Sequence, residues 1–499
     1  MVLHGISSPM MMKLMNYLLI TGTALHFLSL AGLACYGIHR LWMLYCWRNL
    51  LRQDKPSGDS APVADELQPQ VTVQLPLYNE RFVAQRLLDA VAALDWPAER
   101  LQIQILDDST DDTCAIVEQR AAYWRQQGIA MEVVHRRDRH GYKAGAMAAG
   151  MASCRGEFIA VFDADFIPQA NFLRRMIPHF STEKIAVVQA RWGFLNSDNS
   201  WLTRIQALLL GPHFGIEHQV RCQRGMFFNF NGTAGVWRRS AIVDAGGWQA
   251  DTVTEDLDLS YRAQLNGWQF VYVDEVEVPS ELPESLAAFR TQQQRWSKGS
   301  IQTARKIMPR VLKSSLPVAV KFEALAHLLA NLGWIFGALA ALTVLPSVLW
   351  RLQQGYTLWM VDIVLFFFAS GAILFYFFSY AWQRNTRELL PWLPLLPLLT
   401  LGLAPTLAKA AIQGMYQRGG EFVRTPKLGD QVATAFKQRL SSYRYQCPPL
   451  TNGLLGLYSL CPLWVAWDLY HGLGLVFLLF FPVGFFLVFA QQMIEANAR

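Results

Sequence analysis

The sequence has few charged residues and no charge pattern that predicts a nucleic-acid surface. Charged side chains make up 16% of its 499 residues, whereas hydrophobic residues make up 52%. Soluble domains carry about 25% charged residues, so this composition excludes an ordinary soluble protein and predicts several membrane segments. The formal net charge of +6 is modest and gives no case for a nucleic-acid partner.

Ordered cysteine patterns and a cleavable leader are also lacking. The seven cysteines are scattered, with no CxxC pair and no cluster of Cys and His along the sequence. An odd number at irregular spacing argues against a disulfide framework and against a zinc site, so we expect a reducing compartment. The first apolar stretch is long and runs into arginine-rich sequence, which is typical of a membrane anchor rather than a secretory leader.

Several apolar stretches are long enough to cross a bilayer, which takes about 20 residues. The first covers residues 15–46 and is followed by Arg48, Arg52 and Lys55. Because positive charge favours the cytoplasmic side, the domain that follows is expected in the cytoplasm. Further spans are predicted at 322–350, 360–382, 450–470 and 473–491. The predicted domains are an anchor (1–50), a linker (51–69), a cytoplasmic domain (70–283), interfacial helices (284–316) and a transmembrane region (317–499).

Residues 391–416 allow two interpretations. They are apolar enough to span the membrane, but they contain four prolines, each of which interrupts a helix. If they crossed, the basic segment 417–445 would lie outside, against the positive-inside tendency. An interfacial or re-entrant segment is therefore preferred, which leaves five crossings.

Short apolar runs alternate with helical patterns between residues 71 and 283. The predicted strands are Val71–Leu75, Gln102–Leu106, Met131–His135, Phe158–Phe162, Ile185–Gln189 and Phe270–Val273. The predicted helices include Phe82–Leu94, Asp112–Gln127, Tyr142–Ser153 and, further on, Leu286–Met308 at the membrane surface. This alternation predicts an α/β nucleotide-binding fold, with a mostly parallel sheet and helices on both faces.

Two aspartates, Asp163 and Asp165, follow the apolar strand Phe158–Phe162. Ligands of open α/β sheets bind outside the carboxyl ends of strands, and paired carboxylates there suit Mg²⁺ or Mn²⁺ with substrate phosphates. An acidic turn without a metal would have the same sequence. Convergent polar groups at one edge favour a ligand site. The other polar clusters are Pro76–Glu80, Asp107–Ser109, Thr254–Asp256 and Gln292–Trp296.

The ordered motifs D, DxD, (T)ED and QxxRW resemble the hallmark of processive family-2 glycosyltransferases, the group of cellulose synthase and its synthase-like relatives. They correspond here to Asp108, Asp163–Ala164–Asp165, Glu255–Asp256 and Gln292–Arg295–Trp296. His140–Gly145 (HGYKAG) resembles the family's KAG segment, and Phe422–Lys427 (FVRTPK) resembles its FxxTxK gating loop. QQQRWSKGS and FVRTPK are more similar to the mannan- and glucan-synthase-like branch. The resemblance covers roughly residues 71 to 427.

The resemblance implies a GT-A-like cytoplasmic domain and a role for each matching residue. Asp256 would be the catalytic base beside Glu255, and Asp163 and Asp165 would hold Mg²⁺ or Mn²⁺. The nucleotide-sugar would contact Tyr78, Glu80, Asp108, Lys143, Asp163, Arg295, Thr425 and Lys427. The acceptor would contact Gln292, Trp296, Asn231 and Gly232.

Some of these residues have simpler structural explanations. Thr254 or Asp256 could cap the helix predicted at 256–265. Trp296 could be an interfacial anchor, and the basic segment around Lys427 could bind anionic lipid. His213 and His218 lie five residues apart, which is not the spacing of paired metal ligands on a helix, so we interpret them as structural.

The function implied is a membrane-integrated, inverting hexosyltransferase. It would take hexose from UDP-glucose or GDP-mannose, extend a β-linked polysaccharide and translocate it. The expected partners are the nucleotide-sugar donor, the polysaccharide acceptor and the lipids of the inner (plasma) membrane, with a homo-oligomer or secretion partner left open. The alternative is a single-sugar glycolipid synthase that acts on ceramide or diacylglycerol. A transporter or scaffold with an inactive domain is disfavoured by the complete acidic motifs.

Overall fold

The computed structural model describes residues 9–52, 68–355, 359–421, 427, 429, 450–467 and 473–497. The chain divides into two compact units. The first, which we call the sheet unit, comprises Tyr45–Leu329 and Gln413–Arg439. The second, the apolar unit, comprises Met1–Leu44, Ala330–Ile412 and Leu440–Arg499. All the predicted site residues belong to the sheet unit.

The described part of the sheet unit contains a seven-stranded, mostly parallel sheet. Its strands are β1 (Val71–Leu77), β2 (Leu101–Asp107), β3 (Met131–His135), β4 (Phe158–Val161), β5 (Ile185–Phe194), β6 (Gly235–Arg238) and β7 (Gln269–Ser280). Their spatial order is β3-β2-β1-β4-β6-β5-β7. β6 runs antiparallel to both neighbours, and the other described pairs are parallel. The α/β fold class and the mostly parallel sheet are confirmed.

Alternate residues of each strand enter two different cores, because successive side chains of a strand point to opposite faces. In β4, Phe158 and Ala160 belong to one core, whereas Ile159 and Val161 belong to the other. All four side chains are buried. Strands covered on both faces read as continuous apolar runs, which explains why the sequence identified most of them.

Helices connect and cover the strands. In the sheet unit they are α2 (Ala84–Ala92), α3 (Thr113–Gln126), α4 (Tyr142–Gly150), α5 (Phe172–Met176), α6 (Trp201–Pro212), α7 (Gln219–Gln223), α8 (Arg239–Asp244), α9 (Glu255–Leu265), α10 (Leu286–Lys313) and α11 (Val318–Leu328). A π-helical turn, His213–His218, joins α6 to α7.

Two strands differ from the sequence prediction. β6 was missed because it has only four residues and begins with glycine, so no alternating pattern develops. β7 covers twelve residues instead of four. Beyond Val273 it includes Asp274, Glu275 and Glu277, which end the apolar pattern, yet the backbone continues to pair with β5 after a register shift.

The apolar unit is helical. Its helices are α1 (Pro9–Leu51, which runs on into the sheet unit), α12 (Gly333–Gln354), α13 (Trp359–Phe366), α14 (Ala372–Gln383), α15 (Leu395–Tyr416, which also ends in the sheet unit), α16 (Leu450–Tyr458), α17 (Leu460–Ala466) and α18 (Leu473–Asn497). Among the described residues, five stretches are long and apolar enough to cross a membrane: Pro9–Leu51, Ala330–Gln354, Met360–Gln383, Leu395–Tyr416 and Phe477–Asn497.

The prediction that prolines interrupt 391–416 is wrong. Leu395–Tyr416 forms one helix of 22 residues. Pro397 falls in its first turn, where a missing backbone N–H costs nothing, and the helix continues past Pro405. This segment is among the five candidates, whereas the predicted span 450–470 contains two shorter helices. The number of candidates therefore agrees with the sequence prediction, but the segments differ.

We expect Trp237→Ala to destabilise the sheet unit strongly. Trp237 of β6 is fully buried, and its ring contacts those of Phe230, Trp248 and Phe270. Removing such a side chain costs about 3–5 kcal/mol of unfolding free energy. Thermal denaturation in lipid nanodiscs would measure the loss. Trp268→Ala, at a partly exposed position, is the matched control and should cost much less.

Candidate functional site

A cavity lies where β1, β2, β4 and β7 end at their carboxyl termini. Parallel strands bring these ends to one edge, which is where such sheets bind ligands. Of the predicted site residues, these line the cavity: Tyr78, Glu80, Asp108, Lys143, Asp163, Asp165, Asn231, Gly232, Glu255, Asp256, Gln292, Arg295, Trp296 and Lys427. Thr425 and most of the basic segment 417–445, which contains the FVRTPK sequence, lie outside the described residues.

Asp256 lies in the first turn of α9 with a partly buried side chain. Burial, and then the negative charge of Glu255, raise its pKa to about 7, although Lys143 and Arg295 act in the opposite direction. Asp258, in the same turn, is instead paired with Arg262 and Lys306 at 2.8 and 2.9 Å. Asp256 is thus a carboxylate that can accept a proton near neutral pH.

The capping alternative for this turn is not supported. Thr254 is the N-cap residue of α9, but its side chain accepts no capping hydrogen bond. Its hydroxyl instead lies 3.4 Å from that of Thr303. Asp256 Oδ1 accepts a hydrogen bond from the neighbouring backbone N–H of Leu257 at 2.8 Å, and Gly232 faces its Oδ2.

Gly232 has a structural reason to be glycine. Its φ is +80°, and a Cβ there would lie 2.9 Å from Asp256 Oδ2. A side chain would therefore be strained in the backbone and would collide with the carboxylate. Because glycine has no side chain, the backbone can approach Asp256 closely. The carbonyl oxygen of Gly232 then accepts a hydrogen bond from Lys143 Nζ at 2.9 Å.

Lys143 lies at the start of α4, and its side chain is 10% exposed, so it is not a solvated helix terminus. Its Nζ donates to Asp163 Oδ1 at 2.6 Å and lies 4.0 Å from Glu255 Oε1. Burial lowers the pKa of Lys143, but the negative charges of Asp163 and Glu255 outweigh burial, and the pKa is raised. The ammonium is therefore a permanent positive charge within the cavity.

The aspartate pair has the chemistry of a divalent-cation site. Asp165 Oδ2 accepts from the Lys427 ammonium at 2.7 Å and from the backbone N–H of Glu281 at 3.2 Å. Each carboxylate of Asp163 and Asp165 keeps one oxygen that has no partner among the described residues. Two lysine ammonium groups already stand beside these carboxylates as cations. The residues therefore fit Mg²⁺ or Mn²⁺, which prefer oxygen ligands.

The sequence did not point to three residues that line the cavity or contact its lining. Arg136 forms a bidentate ion pair with Asp108, in which Nε donates to Oδ1 at 2.7 Å and Nη2 donates to Oδ2 at 2.5 Å. The Arg139 guanidinium stacks on the ring of Tyr78, 3.2 Å from its centre. Glu281 follows β7, and its carbonyl oxygen accepts from Lys427 at 2.7 Å. The arginine run just before HGYKAG, between β3 and α4, was the available signal for the first two.

A cluster of Asp107, Cys114 and His135 also forms at this edge. No sequence pattern predicts this cluster, because it is the adjacent ends of β2 and β3 that bring Asp107 and His135 together, 3.4 Å apart. Burial and the Asp107 carboxylate raise the pKa of the Cys114 thiol to about 11. The sulfur is therefore protonated at neutral pH and donates to the Ser109 carbonyl at 3.1 Å. These contacts account for the cluster without a metal.

Comparison with known proteins adds the family context. The family described as "Glycosyltransferase like family 2" matches residues 69–299. Glucomannan 4-beta-mannosyltransferase 7 of Arabidopsis thaliana is 35% identical over 442 residues, which cover 84% of this chain and 76% of that protein. Glucomannan 4-beta-mannosyltransferase 1 of Cyamopsis tetragonoloba is 45% identical over 251 residues, covering 49% of this chain and 47% of that protein.

A solved structure shares the fold. A mannosyltransferase from Pyrobaculum calidifontis, in complex with GDP-Man and Mn²⁺, superimposes with a TM-score of 0.51. It is 20% identical, and the match covers 81% of this chain and 99% of that structure. The sheet unit therefore has a GT-A-like fold, as the sequence predicted.

We expect Mn²⁺ to bind the nucleotide-free protein at the aspartate pair, with Lys427 as its competitor. Asp165→Asn should weaken binding about tenfold or more. Lys427→Met should strengthen it by about tenfold or more, since a charge-assisted hydrogen bond is worth about 1.5–3 kcal/mol. Electron paramagnetic resonance of free Mn²⁺ would measure both. Lys184→Met, at an exposed position, is the charge-matched control. Equal affinities in all four proteins would contradict the assignment.

Proposed function

We propose that this chain transfers mannose from GDP-mannose to a growing β-linked polysaccharide. The chain belongs to the family-2 glycosyltransferases, and within them to the cellulose-synthase-like group of glucan and mannan synthases. It is a nucleotide-sugar-dependent hexosyltransferase. The choice of mannose is supported by relatives that are mannosyltransferases at 35 and 45% identity. The observation that carries the proposal is a carboxylate with a pKa near 7 that shares one cavity with the aspartate pair and Arg295.

In this proposal Asp256 is the catalytic base. It takes the proton from the acceptor hydroxyl while that oxygen forms a bond to C1 of the donor sugar. The bond from C1 to the diphosphate oxygen breaks, the nucleoside diphosphate leaves, and the configuration at C1 inverts. Glu255 supports this step because its negative charge helps to raise the pKa of Asp256 into the neutral range.

The other cavity residues bind the donor. Tyr78, Glu80 and Asp108 would contact the nucleoside, and Lys143, Arg295 and Lys427 would contact the diphosphate. A divalent cation held by Asp163 and Asp165 would neutralise negative charge on the leaving diphosphate. The planar fork of Arg295 suits phosphate oxygens. Thr425, predicted to bind the nucleotide with Lys427, keeps that role as a prediction from the sequence.

The acceptor and the membrane complete the proposal. Gln292, Trp296, Asn231 and Gly232 would contact the acceptor, with the indole of Trp296 against a sugar ring. Apolar stretches among the five would cross the plasma membrane, keep the sheet unit in the cytoplasm and carry the product outward, with Leu395–Tyr416 interfacial or re-entrant so that the basic segment after it stays cytoplasmic. The positive-inside argument for this orientation supports it.

Donor and acceptor can be identified in one assay with the full chain in lipid nanodiscs. We expect labelled GDP-mannose, with Mg²⁺ or Mn²⁺, to give an ethanol-insoluble polymer. UDP-glucose and UDP-N-acetylglucosamine should give little, and Asp256→Asn should reduce the rate by at least about 100-fold. Insoluble product from UDP-glucose alone would replace mannose by glucose. Label confined to the solvent-extractable fraction would contradict the polysaccharide acceptor and favour a glycolipid synthase.

The pH dependence of transfer should report the ionisation of Asp256. The base acts when deprotonated, so kcat/KM should rise about tenfold per pH unit below pH 7 and level off above it. Glu255→Gln removes a negative charge and should shift this limb to lower pH. Asp258→Asn, which changes a carboxylate that is already paired, is the control and should not shift it. A rate that does not change between about pH 5 and pH 8 would contradict the assignment.

A further inference from the structure

Two histidines behind the cavity wall contact one cavity residue, Asn231. His213 and His218 begin and end the π-helical turn between α6 and α7. An α-helix would put residues five apart on different sides, whereas the wider π turn brings their rings to 4.4 Å. His213 Nε2 lies 3.0 Å from Asn231 Oδ1, and His218 Nε2 lies 2.6 Å from Asn231 Nδ2.

The Asn231 amide defines which ring nitrogens carry hydrogen. Its oxygen needs a donor, so Nε2 of His213 is protonated, and its nitrogen needs an acceptor, so Nε2 of His218 is not. Burial lowers the pKa of His218 well below its ordinary value, which keeps that ring neutral. Asn229 Nδ2 also donates to Asn231 Oδ1 at 3.0 Å. The orientation of the amide is therefore fixed by three contacts.

One hydrogen of this amide remains for a ligand. An asparagine amide nitrogen has two N–H donors, and His218 accepts one of them. The backbone N–H of Asn231 is also used, donating to Gln189 Oε1 at 3.0 Å. In the part of the chain that the structure describes, the second amide hydrogen has no partner. Because Asn231 lines the cavity beside Gly232, this hydrogen is available to a hydroxyl group there.

A network of buried charged residues lies on the Nδ1 side of His213. Its Nδ1 lies 3.7 Å from Glu217 Oε2, and Glu217 pairs with Arg221 at 3.0 Å. Arg221 in turn donates to Glu323 of α11 at 2.9 Å. Glu217, Arg221 and Glu323 are all buried. Buried networks of this kind resist rearrangement, because an unpaired member would be costly.

We propose that His213 and His218 are positioning residues for the acceptor, which turn the Asn231 amide so that its remaining N–H donates to a hydroxyl of the acceptor sugar. This inference rests on the proposed function. Neither histidine lines the cavity. They act through Asn231, so their loss should weaken acceptor binding more than it slows the chemical step.

The test measures transfer from labelled donor to short manno-oligosaccharides, with the full chain in nanodiscs. His213→Leu removes the donor to Asn231 and should raise the acceptor KM about three- to tenfold. The kcat and the donor KM should change less than about twofold. His213→Gln, whose amide can donate from a similar position, should restore most of the acceptor KM. His179→Leu, at a half-buried site that does not line the cavity, is the matched control and should leave the acceptor KM unchanged.

A double-mutant cycle separates positioning from a general structural effect. If His213 acts through Asn231, His213→Leu should add nothing to the acceptor KM of Asn231→Ala. Additive effects, or an unchanged KM in His213→Leu, would overturn the inference. If His213→Leu does not fold, Asn231→Asp takes its place, since it keeps the shape but loses both amide hydrogens. An unchanged acceptor KM in Asn231→Asp would then overturn the inference.

The outcome also distinguishes this inference from the proposed function. A wild-type protein that transfers no sugar from any donor would refute the proposed function itself. A wild-type protein that elongates the oligosaccharide, with histidine variants that bind it normally, would refute only the positioning role.

Discussion

The buried ammonium of Lys143 is the contact on which the geometry of the cavity depends. It bonds to Asp163 at the end of β4 and to the Gly232 carbonyl, and it lies near Glu255 at the start of α9. These segments meet from distant parts of the sequence. Without the positive charge, the carboxylates would repel one another in a partly desolvated space. Lys143 therefore allows acidic residues from two distant segments to share one site.

Compensation of charge recurs around the cavity. Lys427 forms an ion pair with Asp165, and Arg136 forms one with Asp108. Arg262 and Lys306 both form ion pairs with Asp258. Asp256 has no direct ion pair among the described residues, and it is the carboxylate whose pKa is raised. The same arrangement of charges thus pairs the other carboxylates with cations and leaves Asp256 able to exchange a proton near neutral pH, which is what a sugar transferase with a carboxylate base requires.

The local features of the fold could be predicted from the sequence. β1, β2, β4 and β5 were located because strands that are largely buried on both faces are rich in apolar residues. The acidic motifs were found because each follows a strand or begins a helix. The prediction failed where tertiary contacts override local preference. The second half of β7 is acidic but pairs with β5, and α15 accommodates prolines that alone would favour a break.

The chemical groups of the protein can be read from its sequence: apolar stretches for a membrane, an ordered set of carboxylates, and the QxxRW segment. Which of these groups meet depends on the folded chain. Lys427 reaches Asp165 across 262 residues, and His213 and His218 converge on Asn231 through a π turn that the sequence pattern did not reveal. The physical reason is that chemical identity is local, whereas hydrogen bonds and ion pairs depend on distances that only the folded chain sets.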